Sequence, residues 1–517
     1  MANVDQHATP LFEAVINYAR EKKISFHTPG HKHGVSIPQE FRNFVGEKIF
    51  DCDLTLLEEV DSLHDPRGVI KKAQQLAAAA YGSDYAFFLV NGSSAGNHAM
   101  VLTVCQPGDK IIVPRNAHRS VLAGIILSGA IPVYVMPVRE EHWNLMLNVT
   151  PESVGRTLDE HPDAKAVLVT NPTYQGIATH LREIARLTHR AGKVLLVDEA
   201  HGPHLKFHPD LPTTALVAGA DMCVQSTHKI ISSMTQASLL LVRRSIDVLK
   251  LKRILSLLTT TSPSYILMAS LDLARMQMAT RGKELLDTAI ALAEDARQRI
   301  NQISGLHCFG RELLGQPGVH ALDVTKLSVD VTGLGLTGYQ VAQVLNRRFK
   351  IQVEFADIDS ILLIVSIGNT SKDINRLHGA LENVAAEAPR TARTRSRLCL
   401  PDGLPEMILT PREAVFSPTL KVPLKEAIGE VSAEIFSPYP PGIPLLNPGE
   451  RVTAELIEYL RELHARGGRV QGQEDARLRT IKIVSPPVNG RLNNLQETVA
   501  HRNEKSDNAP AFHGPPR

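Results

Sequence analysis

Apolar and polar positions along the chain repeat with two periods, and the changes of period mark the elements. Between residues 70 and 245, short apolar runs recur at 85–90, 110–113, 131–138, 164–170, 193–197, 221–225 and 238–242. Each is rich in Val, Ile and Leu, the composition of a strand buried on both faces of a sheet. Stretches with helical period, such as 71–81 and 179–191, separate the runs. This alternation predicts an α/β fold with a mostly parallel central sheet and helical crossovers. An amphipathic helix is expected over 10–21, ahead of a Gly/Pro/His loop, HTPGHKHG. Residues 246–305 read as mostly helical, and 317–388 return to mixed strand and helix, as in a smaller α+β domain. The expected division is 1–305 for an N-terminal segment and large domain, 306–395 for a small domain and 396–485 for a C-terminal domain. Residues 486–517 are polar and Pro/Asn-rich, and are expected to be disordered.

Composition narrows the class. A chain of 517 residues suits two or three domains, and 43% apolar with 21% charged residues is ordinary for a globular protein. A net charge of +2 gives no reason to expect nucleic acid or an anionic membrane as partner. No run approaches ~18 consecutive apolar residues, and the N-terminus lacks the basic start and apolar centre of a secretory signal. The cysteines, Cys52, Cys105, Cys223, Cys308 and Cys399, are scattered and odd in number. They suggest reduced thiols in a cytoplasmic protein, with neither a disulfide framework nor a CxxC metal site.

Candidate chemistry lies where such sheets bind ligands, at the carboxyl ends of the strands. Asn91-Gly92-Ser93-Ser94-Ala95-Gly96-Asn97 follows the run 85–90, and Arg115-Asn116-Ala117-His118 follows 110–113. Asn171-Pro172-Thr173-Tyr174 follows 164–170, Asp198-Glu199-Ala200-His201-Gly202 follows 193–197, and Ser226-Thr227-His228-Lys229 follows 221–225. Five strand ends bearing such residues are hard to explain as packing. Together they fit one cofactor, pyridoxal phosphate. A Gly/Ser loop opening a helix offers amide groups and hydroxyls to a phosphate. An aspartate can keep a pyridine nitrogen protonated and so make the ring an electron sink. A lysine can form the Schiff base, and a histidine can stack on the ring.

The strings NGSSAGNHA, RNAHRSV, NPTYQG, VDEAHGPH and STHK resemble the Orn/Lys/Arg decarboxylase family, as do FHTPGHKHG, TTTSPSYILMASLD and PYPPGIPLLNPGE. The resemblance spans residues 5–480 in the expected order. It implies an aspartate-aminotransferase type of pyridoxal-phosphate fold, in a short form without the N-terminal wing domain of longer members. It also implies decarboxylation of arginine, lysine or ornithine to a polyamine and CO2, with a lean to arginine, in a homodimer or higher homo-oligomer. By the same resemblance Lys229 is the Schiff-base lysine, Asp198 the partner of the pyridine nitrogen and His118 the residue stacked on the ring. Ser93, Ser94 and Ala95, with Ser226 and His228, form the phosphate cup. Ala200 lies beneath the ring with His201 close by. Residues 259–262 reach the phosphate region of a neighbouring subunit, and Glu434 and Tyr439 lie near the substrate entrance, with Glu434 facing the distal cation.

Each assignment has a rival. Gly92-Ser93-Ser94-Ala95-Gly96 also fits G-x-S-x-G, which would make Ser94 a hydrolase nucleophile with Asp198 and His201 or His228. That reading leaves Lys229 and His118 idle. Within the cofactor class, an aminotransferase or lyase is the alternative. An aminotransferase usually clamps the substrate carboxylate with an arginine where this chain has ILLIVSIGN. The histidine groups 27, 31, 33 and 201, 204, 208 lack a standard ligand spacing, so no metal is expected.

Overall fold

All seven apolar runs become strands of one sheet in the computed structural model, which describes residues 4–140, 142–143, 145–389, 403–439 and 444–485. They are β1 Tyr85–Leu89, β2 Lys110–Pro114, β3 Ile131–Val135, β4 Ala166–Thr170, β5 Val194–Asp198, β6 Met222–Gln225 and β7 Ser238–Val242. Their spatial order is β1-β7-β6-β5-β4-β2-β3. Only β7 runs against its neighbours, β1 and β6; the pairs from β6 through β3 are parallel. The sheet is therefore mostly parallel, as the continuous apolar runs require.

Alternation along the strands feeds two cores. On one face Val167, Val169, Leu195 and Val197 pack with Leu11, Ile70 and Leu271. On the other, Ala166, Leu168, Leu196 and Val224 pack with Ala99, Met100, Val121 and Ile125. The second group belongs to helices Gly92–Val104 and Arg119–Ser128. Side chains on a strand alternate between faces. Asp198, two residues after Leu196, is thus turned toward those two helices at the end of β5.

One glycine sets how close the first helix comes. A Cβ on Gly96 would lie 2.3 Å from Val224 Cγ2 and 2.9 Å from Leu89 Cδ1, so the helix rests directly on the sheet. The helix Tyr265–Ile300 then carries the chain onward, contributing Met268 and Leu271 to the first core and Ala293, Ala296 and Ile300 to another. That core packs on a four-stranded antiparallel sheet, in the order His307–Cys308, Lys326–Asp330, Ser360–Ile364, Phe355–Ala356. Leu424, Phe436, Leu446, Leu460 and Ile483 make a separate C-terminal cluster. This segment docks at the carboxyl end of β2, where Arg115 forms a bidentate pair with Glu450 and stacks 4.8 Å from the Tyr134 ring. Among the described residues no helix is long and apolar enough to cross a membrane. The expected tail, 486–517, lies outside the described residues.

Candidate active site

Lys229 sits in the short helix Thr227–Ile230 that follows β6. Its Nζ is 2.9 Å from His201 Nε2 and 5.4 Å from the centre of the Tyr174 ring. The Tyr174 and His201 rings are themselves 4.4 Å apart. Burial pulls the Lys229 ammonium below its ordinary range; Asp198 and Glu354 oppose this, and Lys326 reinforces it. A buried amine whose charged form is disfavoured is available as a nucleophile and proton carrier.

Asp198 is only 3% exposed. Its Oδ1 accepts the N–H of Ala200 at 3.2 Å and its Oδ2 accepts from Asn97 Nδ2 at 2.9 Å. The same Asn97 nitrogen donates to Ser120 Oγ at 2.9 Å, and Ser120 Oγ lies 2.8 Å from His118 Nδ1. A line of contacts thus runs Asp198–Asn97–Ser120–His118. His118 caps its helix by accepting the N–H of Ser120. Burial lowers its pKa, with the Asp198 charge opposing and the Lys229 charge adding. A neutral ring with Nδ1 as acceptor follows.

The helix Gly92–Val104 opens beside these groups. Gly92 adopts φ +68°, and the Asn91 side chain leaves the first turn uncapped. Ser226 Oγ bonds Ser93 Oγ at 2.9 Å across the opening. Uncapped first-turn amides, two hydroxyls and the helix dipole form an anion site. His228 Nδ1 donates to the Ala237 carbonyl at 2.9 Å, and burial keeps its pKa low. An anion site, a fixed carboxylate, a neutral imidazole and a buried amine converge at the carboxyl ends of β1, β2, β5 and β6. That donor set fits pyridoxal phosphate: Ser93, Ser94, Ala95 and Ser226 could hold the phosphate, Asp198 the ring nitrogen and Lys229 the aldehyde.

Other expected residues are placed elsewhere. Glu434 is 8% exposed, and its oxygens accept backbone N–H groups of Glu474 at 2.7 Å and Lys482 at 2.8 Å. In this chain the carboxylate holds the C-terminal segment together. Tyr439 ends the strand Ser437–Tyr439, paired with Arg469, and its side chain lies outside the description. In residues 259–262, Thr260 O is bonded by His64, and no hydrogen bond among the described residues joins this stretch to Lys229. The hydrolase arrangement is not formed. The Ser94 hydroxyl bonds no histidine, while His201 and His228 are engaged with Lys229 and Ala237. Sequence reasoning gave no role to Asn97, Ser120 or Glu354. Only the polar Asn97 within an apolar helix carried a signal.

Comparison with known proteins agrees with this geometry. Residues 9–373 match the family model "Orn/Lys/Arg decarboxylase, major domain", and 394–475 match "Orn/Lys/Arg decarboxylase, C-terminal domain". An arginine decarboxylase of Bacillus subtilis (strain 168) is 44% identical over 484 residues, covering 93% of this chain and 99% of the relative. The crystal structure of a Francisella novicida lysine decarboxylase superposes with TM-score 0.79 at 25% identity, covering 92% of this chain and 81% of that one. A ureidoglycine-glyoxylate aminotransferase of Bacillus subtilis shares the fold alone, with TM-score 0.51 at 14% identity over 65% of this chain and 89% of that one. Strand-end lysine, aspartate and uncapped helix therefore sit in a pyridoxal-phosphate fold of the aspartate-aminotransferase type, and the chain belongs to the Orn/Lys/Arg decarboxylase family of pyridoxal-phosphate-dependent enzymes.

Proposed function

We propose that this decarboxylase acts on arginine, with Lys229, Asp198 and His118 as its catalytic residues. The observation that carries the site is the Lys229 amine, buried, disfavoured as an ammonium and bonded to His201. Bound pyridoxal phosphate supplies a pyridinium ring that accepts the electron pair left at Cα as the carboxylate departs. The chain's own residues bind, orient and move protons. Ser93, Ser94, Ala95, Ser226 and His228 hold the phosphate, and Ala200 and His201 flank the ring. Asp198, immobilised by Asn97 and the Ala200 amide, keeps the proton on the ring nitrogen. His118 covers the ring face as a neutral imidazole. Lys229 Nζ takes and returns protons beside Cα. The strand Ser360–Ile364 offers no arginine to clamp the substrate carboxylate, which favours its loss.

The lean to arginine rests on the relatives of that name. A guanidinium needs a carboxylate at its far end. Glu354 is exposed, its side chain makes no ion pair or hydrogen bond among the described residues, and its charge reaches both Lys229 and His228. We read it as the group facing the distal cation. Glu354→Gln is expected to raise KM for arginine about tenfold with a smaller change in kcat, the cost of one charged hydrogen bond. An unchanged KM would pass this role to another carboxylate. The substrate itself is tested by offering arginine, lysine and ornithine to purified holoenzyme and following CO2 and amine. Faster turnover of lysine or ornithine would overturn the arginine reading. Borohydride should bleach the visible absorption of the lysine–cofactor bond and leave the cofactor fixed on Lys229.

The same reading makes the working unit at least a homodimer, with residues 259–262 directed to a partner's phosphate site; sedimentation tests it. A cytoplasmic location is supported by the free thiols Cys52, Cys105, Cys223 and Cys308. The division near 305 and 395 is supported by the separate apolar clusters, although helix Tyr265–Ile300 serves two of them.

A further inference from the structure

Two loops bring rings against the Lys229 amine: the loop after β4 carries Tyr174 and the loop after β5 carries His201. Both rest on one buried cluster that the chemistry above does not use. Asp323 and Lys326 stand at the entry to the small sheet's strand Lys326–Asp330. Their side chains are 0% exposed and pair at 2.7 Å. Asp323 Oδ1 accepts the N–H and the hydroxyl of Thr325 at 3.1 and 2.6 Å. Its Oδ2 lies 3.1 Å from Nε2 of His204, in the His201 loop. The Asp323 N–H donates to the Gly176 carbonyl at 2.8 Å, in the Tyr174 loop. The approach there is close. Gly176 has φ +84°, and a Cβ on it would lie 2.7 Å from Asp323 O and 2.9 Å from Lys326 Cγ. A buried ion pair is a poor source of net stability, so stability alone does not account for this one.

We propose that Asp323 and Lys326 are positioning residues that hold the two loops so that His201 and Tyr174 meet the Lys229 amine. The inference rests on the reading of Lys229 as the cofactor-bearing lysine. Charge acts in the same direction as geometry. His201 and Lys229 are faced by Asp198, Glu354, His118, Asp323 and Lys326. Burial holds His201 well below its usual range; Lys229 and Lys326 lower it further, and Asp323 opposes them. A neutral His201 keeps a lone pair on Nε2 for the Lys229 amine. Without the Lys326 cation, both Lys229 and His201 would gain protons more readily.

The test uses holoenzyme and two variants, with the visible pH titration of the lysine–cofactor bond read beside kcat and KM. In Lys326→Met the titration midpoint should rise by about half a pH unit or more, since a nearby cation is gone. Its kcat should fall roughly tenfold, with KM moving less. This variant leaves Asp323 unpaired and is the one at risk of not folding. The double variant D323N/K326M removes both charges together and avoids that risk. Its kcat should also fall roughly tenfold at unchanged circular dichroism, because the His201 loop loses its charged anchor at His204 while the backbone bond to Gly176 stays. Wild-type kcat in the double variant, or an unmoved midpoint in a folded Lys326→Met, overturns the proposal. If wild-type holoenzyme shows no borohydride-sensitive band, the cofactor reading of Lys229 fails and takes this inference with it. A normal band with unaffected variants sinks this inference alone.

Discussion

A carboxylate can partner a ring nitrogen only if it is held still, and Asp198 is held by Asn97 and the Ala200 amide. Asn97→Ala should leave the fold intact and lower kcat about tenfold or more, since the lost bond is to an ionised group; steady-state kinetics with circular dichroism checks it. Its neighbour Glu199 shows the opposite environment. It points into the core, accepts from Ala215 N and Gln225 Nε2, and burial lifts its pKa from 4.5 to about 8. Between those values the folded chain keeps a proton that the unfolded chain releases. Stability should therefore be fully present below pH 4.5 and fall as pH rises toward 8, by about 1.4 kcal/mol per pH unit in that window. Glu199→Gln should abolish that slope. Its amide can donate to Gln225 Oε1, which is buried without a partner. Denaturant midpoints at pH 5.5 and 8 measure the difference; parallel curves for the two proteins would refute it.

At the scale of elements, Gly96 controls how near the helix Gly92–Val104 comes to the sheet, and so whether Asn97 reaches Asp198. Gly96→Ala should cost about 1–3 kcal/mol by overpacking against Val224 and Leu89, read as a lower unfolding midpoint. It should also weaken cofactor binding more than its stability loss explains. The strands and their terminal residues were legible in the chain because both follow from local pattern: apolar runs, then the polar residue that ends each run. Asp198, Ser226 and Lys229 were found this way. Asn97 was not, because its partner lies 101 residues away and an asparagine inside an apolar helix announces no direction. Asp323 and Lys326 were hidden for the same reason. The structural bonds of Glu434 were not legible either, because its partners are backbone amides of a bend and a strand, which leave no trace in residue types.

At the scale of the whole molecule, Arg115 and Glu450 join the end of β2 to the C-terminal segment. Glu450 also accepts the N–H of Asn447 at 2.7 Å, and Asn447 Nδ2 reaches Tyr134 Oη at 3.1 Å. Removing one partner leaves the other charge buried. Glu450→Gln should destabilise the protein by about 3–5 kcal/mol and expose the C-terminal segment to proteolysis before the large domain. Intact resistance of that segment in the variant would show that the pair is not its anchor. The two residues are 335 positions apart in the chain. At 5–20 residues per second, the ribosome takes tens of seconds to make the carboxylate after the guanidinium has emerged. During that interval the end of β2, three residues from His118, carries an unmatched cation and stays open to water. A carboxylate made late in synthesis therefore matches a cation made early, beside His118.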